Sequence, residues 1–262
     1  MKTLRMALLQ PDTKWKDAEF NRNMLENFVK EHSKNADVFV FPEMFTTGFV
    51  TNPASVAETA NGETLNWMKN LAAEQNVALA GSVIISEKDN YCNRFYWVNP
   101  DGKFYQYDKK HLFALGRENL EYTSGTQQTI FNYHGWNIKL AICYDLRFPI
   151  WLRNSFANDE FLYDILLVTA NWPSSRQRHW HNLLVSRAIE NQCFAVGVNR
   201  KGIDGNGWKY NGSSILANPD GIWNPEITNE DDIIFVELNK DNLMKYRNDF
   251  PFARDWDNYE LK

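Results

Sequence analysis

Glu43, Lys109 and Cys143 each stand directly after an apolar or aromatic run: ADVFVFP, YQYD and IKLAI. Together these side-chain types can carry out nucleophilic acyl chemistry. A free thiol ionises near pH ~8.5, so a carboxylate that takes its proton during attack makes the nucleophile, and an ammonium can stabilise the oxyanion that the attack creates. Taken singly, each residue has an ordinary reading. Free cysteine is among the most buried residue types, lysine is usually solvated, and a loop glutamate is commonly a surface group or a helix cap. Three such residues after three different strands, however, would converge wherever parallel strand ends meet, and connections at strand ends are where catalytic groups gather.

The elements that must position them alternate in type. LRMALLQ reads as a strand, EFNRNMLENFVKEHSK as an amphipathic helix with Phe20, Leu25, Phe28 and Val29 on one face, and ADVFVFPE as a second strand broken at Pro42. ETLNWMKNLAAEQN is a further helix, and VALAGSVIIS is apolar enough for a strand buried on both faces. RFYWVNPDGKFYQYDK carries turn residues Asn99, Pro100, Asp101 and Gly102 between aromatic strands and reads as a hairpin. Alternation then puts Lys109 on the face of Tyr107 and turns Lys110 away. Asn218 to Gly221 repeats the turn chemistry. IKLAICYD, DILLVTANW, CFAVGVNR and IIFVELN supply more strands and RHWHNLLVSRAIENQ another helix, a mixed α/β pattern that two stacked sheets with outer helices accommodate. No repeat or linker divides the chain, so one domain over residues 1–262 is expected, with the segment from about 240 as a packing arm that suggests a partner subunit.

In order and approximate spacing, PEMFTTGF, YDKKHLF and AICYDLRFP resemble the three signature segments of the nitrilase superfamily of carbon-nitrogen hydrolases, and the resemblance covers nearly the whole chain. It implies a four-layer αββα sandwich of two mixed sheets flanked by helices, commonly paired into homodimers. It maps the family's catalytic Glu, Lys and Cys onto Glu43, Lys109 and Cys143, the lysine standing two residues before His111. A second glutamate that supports the lysine aligns with Glu118 in GRENLEYTSG, with Glu121 the weaker match. The implied roles are a general base and acid for Glu43, an oxyanion partner for Lys109 together with the Tyr144 backbone N–H, and no cofactor or metal. YDKKHLF, AICYDLRFP and TANWP are most similar to the omega-amidase branch, which deamidates 2-oxoglutaramate or 2-oxosuccinamate. Tyr144 and Asp145 after the cysteine point to amides rather than nitriles, whereas Ile150 departs from the glutamate that many amidase members carry there. N-carbamoyl amino acids and other short amides stay open as substrates.

A carboxylate-bearing substrate needs a cation and a snug wall, because a carboxylate buried without a partner is costly. Arg176, just beyond Asn171-Trp172-Pro173, is the candidate cation, and Phe45 and Trp172 are candidates for the wall. Arg187 is expected to serve structure through an ion pair. The rival readings are weaker. No cysteine carries a papain-like local signature, and His179 and His181, two apart, do not make the i, i+4 pair of a zinc helix. GIDGNGWKYNG leads from strand to strand and reads as a loop, not a dinucleotide turn. A catalytically silent binding protein on the same fold would have no need of all three polar residues.

Composition agrees with a small-molecule enzyme. A formal charge of −5 with no basic cluster argues against nucleic acid, and no window approaches a membrane span of roughly 18 apolar residues. Three widely spaced cysteines suggest neither a disulfide framework nor a zinc knuckle, and a reducing cytoplasm is the expected setting.

Overall fold

The computed structural model describes residues 2–223, 232–257 and 259. Its larger sheet has seven strands. In spatial order these are Ile233–Asn239, Thr3–Leu9, Val38–Val40, Ala78–Glu87, Asn90–Val98 and Phe104–Asp108, with Glu58–Thr59 pairing on the long strand Ala78–Glu87. Thr3–Leu9, Val38–Val40 and Ala78–Glu87 run parallel, and the remaining pairs on the main path are antiparallel. The second sheet orders Ile215–Ala217, Phe194–Asn199, Ile165–Ala170, Trp136–Ile142 and Ile130–Tyr133, with parallel pairing among its three central strands.

Side-chain alternation divides each strand between two packing layers. Leu4, Met6, Leu8, Val38, Val40, Phe95 and Trp97 face the second sheet's Ile138, Leu140 and Ile142 in one continuous core. The intervening Ala7, Leu9, Phe39, Leu79, Tyr96 and Val98 face outward onto helices Ala18–His32 and Glu63–Gln75 through Leu25, Val29, Leu65, Met68 and Leu71. Helix Gln177–Asn191 covers the second sheet with Trp180, Leu184 and Ala188. The layers are therefore helix, sheet, sheet, helix, and strands buried on both faces account for apolar runs such as VALAGSVIIS.

Two local readings need correction. Phe20 is exposed, because it sits one position off the buried stripe; Asn21 takes that place and ties its side chain to the carbonyls of Lys14 and Thr46. The segment read as a loop is a β-hairpin, Lys201–Ile203 paired with Lys209–Asn211, whose tip is held by Asp204 accepting from the Asn206 and Trp208 amides and the Tyr210 hydroxyl. Beyond residue 240, helix Lys240–Asp249 lies on its own chain, with Leu243 buried and Arg247 paired to Asp164 at 2.8 Å. Residues 258 and 260–262 of that segment lie outside the described residues.

Candidate active site

Glu43 follows strand Val38–Val40, Lys109 follows Phe104–Asp108 and Cys143 follows Trp136–Ile142, and these strand ends meet at one end of the double sheet. Pro42 stops the first strand, and the chain then turns so that the Glu43 carboxylate points inward, buried to 1 % exposure. The Lys109 ammonium lies 2.8 Å from Glu43 Oε1 and 2.9 Å from Glu118 Oε2, with both ion pairs fully buried. Glu118 is delivered by a short 3₁₀ turn, Glu118–Leu120, and is anchored by the Phe113 amide at 2.7 Å. Glu121, the alternative glutamate, is exposed. Gly125 lets this loop lie against the lysine's backbone: its amide donates to the Lys109 carbonyl at 2.9 Å, and a Cβ there would sit 2.1 Å from the Asp108 carbonyl oxygen.

Cys143 opens the 3₁₀ turn Cys143–Arg147 with φ +43, a left-handed conformation that a non-glycine residue holds only when its surroundings enforce it. Asp145 supplies that enforcement. Its carboxylate accepts from the Ile142 amide at 3.0 Å, the Tyr107 hydroxyl at 2.8 Å and the His111 amide at 2.9 Å, with the His111 ring at 2.8 Å. One buried carboxylate thus ties the cysteine turn of one sheet to the lysine loop of the other. Arg187 holds the far end of the turn through the Leu146 carbonyl at 2.8 Å, besides its ion pair with Glu190.

The electrostatics follow from burial. Burial would discharge the Lys109 ammonium, but the Glu118 and Glu43 carboxylates outweigh it and hold its pKa well above the ordinary lysine value. Burial, with Glu43 close by, pushes the Cys143 thiol well above its usual range, so the resting sulfur keeps its proton and needs a base when it attacks. Burial also raises Glu118. Glu43 accepts from the Asn171 amide at 2.8 Å through Oε2, and the Asn171 carbonyl lies 3.9 Å from Cys143 Sγ.

A cavity of about 250 Å³ opens over Cys143 and Lys109. Tyr144, Trp172 and Arg176 line it, whereas Phe45 does not. Phe45 is fully buried behind the site, packed on Phe41 at 4.9 Å between ring centres, because it falls on the helix-facing side of the chain. Phe49 and Phe113 provide the wall instead, together with Trp208 and Tyr210 from the hairpin and two further guanidiniums, Arg117 and Arg147. The Phe residue four positions further on, Phe49, was a signal available in PEMFTTGF; the hairpin residues had none, since nothing local aims a distant turn at the cysteine.

A half-buried Cys beside a buried carboxylate and a buried ammonium, at the floor of a cavity open to solvent, is the arrangement that thiol-dependent acyl hydrolysis requires. The family model for carbon-nitrogen hydrolases matches residues 5–248, and the chain belongs to that family. It is 40% identical to omega-amidase YafV of Escherichia coli (strain K12) over 262 residues, all of both chains, and 32% identical to 2-oxoglutaramate amidase of Bacillus subtilis (strain 168), covering 95% of this chain and 96% of that one. Among solved structures, a CN-hydrolase superfamily protein of Xanthomonas campestris with an arsenic adduct in its active site superposes with a TM-score of 0.97 at 36% identity over 100% of both chains. Nit3 of Saccharomyces cerevisiae, a nitrilase-superfamily member, shares the fold with a TM-score of 0.84 at 22% identity over 96% of each chain.

Proposed function

We propose that this protein hydrolyses short omega-amides bearing a carboxylate, of the 2-oxoglutaramate or 2-oxosuccinamate type, to the acid and ammonia. The names of its full-length relatives support the amide, and the cavity supports the carboxylate. Arg147 and Arg176 both line the cavity; the contacts of their guanidiniums are with His179 at 3.3 Å and the Trp172 ring for Arg147, and with the Trp208 and Phe113 rings for Arg176, none of them a carboxylate. Burial and the neighbouring Arg147 lower the pKa of Arg176, so an anion placed between them removes a repulsion as well as filling a site. Asp204, the carboxylate lining the cavity, is already engaged by its own hairpin.

In the catalytic cycle Cys143 Sγ bonds to the amide carbon as its proton passes to Glu43, and the carbonyl electrons move onto oxygen. Lys109 and the Tyr144 amide, at the start of a turn whose first N–H groups lack acceptors within it, stabilise that oxyanion. The tetrahedral species collapses as Glu43 protonates the departing nitrogen, leaving a thioester. Water then gives a proton to Glu43 as it attacks the thioester, and the second tetrahedral species collapses as Glu43 returns that proton to the departing Cys143 sulfur, releasing the acid and restoring the thiol. Glu118 keeps Lys109 charged and aimed.

The chain has no helix among the described residues long and apolar enough to cross a membrane, and its thiol chemistry suits a reducing cytoplasm. Homodimer formation fits two groups of exposed apolar side chains, Ile189 reaching toward Gly221 beside Ile222, and Phe250 in contact with Phe252.

The test follows ammonia release by the wild type and Cys143→Ala from 2-oxoglutaramate, 2-oxosuccinamate, glutamine, an N-carbamoyl amino acid and a simple nitrile. Release from the oxo-amides that disappears in the variant supports the proposal. Release confined to another substrate removes the omega-amide reading and leaves the thiol mechanism; release that survives in the variant removes Cys143 as nucleophile.

A further inference from the structure

We infer that Asn93 is a positioning residue that decides which oxygen of Glu43 carries the catalytic proton; the inference rests on the reading of Glu43 as general base. Asn93 lies on strand Asn90–Val98, fully buried between the two carboxylates of the site. Its Nδ2 donates to Glu43 Oε1 at 2.8 Å and reaches Glu118 Oε1 at 3.4 Å. Its Oδ1, also buried, has no hydrogen-bond partner. A buried orphan acceptor is costly, and its presence needs a reason. The alternative orientation of the amide would aim the carbonyl at two carboxylates, so the donor must face them and the acceptor is left over.

The consequence is an asymmetry within Glu43. Oε1 receives two donors, Asn93 Nδ2 and Lys109 Nζ, each at 2.8 Å, which occupies both of its lone pairs. Oε2 receives one, the Asn171 amide at 2.8 Å, and keeps a lone pair free. The proton that leaves Cys143 Sγ as the sulfur–carbon bond forms is therefore carried on Oε2, and from Oε2 it passes to the leaving nitrogen. The backbone reinforces the placement, because the Lys109 amide donates to the Asn93 carbonyl at 3.0 Å and locks the two residues together.

Asn93 is also one of the few hydrogen-bond donors to this buried carboxylate. The groups facing Glu43 are Lys109, which favours the carboxylate, and Glu118 and the Cys143 thiol, while the Tyr122 and Tyr210 phenols lie within its field. Removing a donor from a buried carboxylate raises its pKa. The base must be deprotonated to act, so the acidic limb of kcat/KM moves to higher pH.

The experiment measures pH profiles of kcat/KM for 2-oxoglutaramate with the wild type, Asn93→Ala and Asn93→Leu, with Glu43→Gln alongside. Asn93→Ala opens space and Asn93→Leu fills it, so packing damage differs between them while the lost donor is the same. The expected result is an acidic limb shifted upward by about one pH unit or more in both, with kcat lowered at least about tenfold at neutral pH and KM within about threefold. Lower rates with an unshifted limb in whichever variant folds would overturn the role of Asn93 alone. Full activity in Glu43→Gln would overturn the general-base reading and the Asn93 inference with it.

Discussion

At the residue scale, the site is a small charge balance held out of water. Lys109 is compensated by Glu43 and Glu118, and each removal should read differently. Glu118→Gln keeps the shape and an acceptor for the Phe113 amide but takes away half the compensation for Lys109. We expect kcat to fall by about 10²–10³, on the scale of losing an oxyanion donor, with little change in KM. Steady-state kinetics check this, and an unchanged kcat would remove Glu118 from the machinery. Phe45 gives a contrasting outcome. Its substitution by Ala should cost about 3–5 kcal/mol of stability, measured by denaturant unfolding, without the selective rise in KM that Phe49→Ala should produce. Much of this scale was legible in the sequence. Glu43, Lys109 and Cys143 each followed a readable strand, and Glu118 rested on motif spacing. Phe45 was misplaced because the turn after Pro42 breaks the alternation that would have told inward from outward, and Asn93 was invisible because a polar residue inside an aromatic strand has no local signature of what it faces.

At the element scale, the cysteine turn is positioned by its neighbours rather than by its own propensity. Asp145 and Arg187 hold its two ends, and behind it Lys139, on the same strand, donates to the Trp151 carbonyl at 2.8 Å and to Gln128 Oε1 at 3.1 Å. Lys139 is buried on neutral acceptors, with the Asp145 carboxylate acting only at a distance, and burial pulls its pKa down to about 7 from an ordinary 10.5. The unfolded chain therefore binds more protons between those values, so stability should rise as pH increases from about 7 toward 10.5, the full cost of burying the charge being present below about 7. Lys139→Met removes that cost while Gln128 Nε2 still holds the Trp151 carbonyl at 2.8 Å. Chemical denaturation should show a variant about 1–4 kcal/mol more stable than wild type at pH 6, the difference shrinking toward pH 10. A pH-independent difference would contradict this account. Strands and helices were legible here because periodicity and turn residues report local structure. The hairpin 201–211 was not, since its glycines indicate a break in regular structure and say nothing of the cavity wall it forms with Trp208 and Tyr210.

At the scale of the whole molecule, two mixed sheets share one core and carry helices outside, and only their common end holds the chemistry. That arrangement was recoverable from the mixed order of strands together with the motif resemblance, because strands buried on both faces require cover on both sides. The proposed homodimer uses the exposed apolar side chains of Ile189, Ile222, Phe250 and Phe252. Ile189→Lys combined with Phe252→Lys should convert a dimer to a monomer by sedimentation velocity, and a wild type that is monomeric at micromolar concentration would contradict it.

Every turn of the proposed hydrolysis passes an acyl group through Cys143. The most direct measurement adds hydroxylamine during turnover of 2-oxoglutaramate and quantifies hydroxamate and ammonia together. A thioester partitions between water and hydroxylamine, so hydroxamate should form at the expense of the acid, and both hydroxamate and ammonia should vanish in Cys143→Ala. Ammonia release with no hydroxamate at any hydroxylamine concentration, persisting in that variant, would contradict the covalent mechanism.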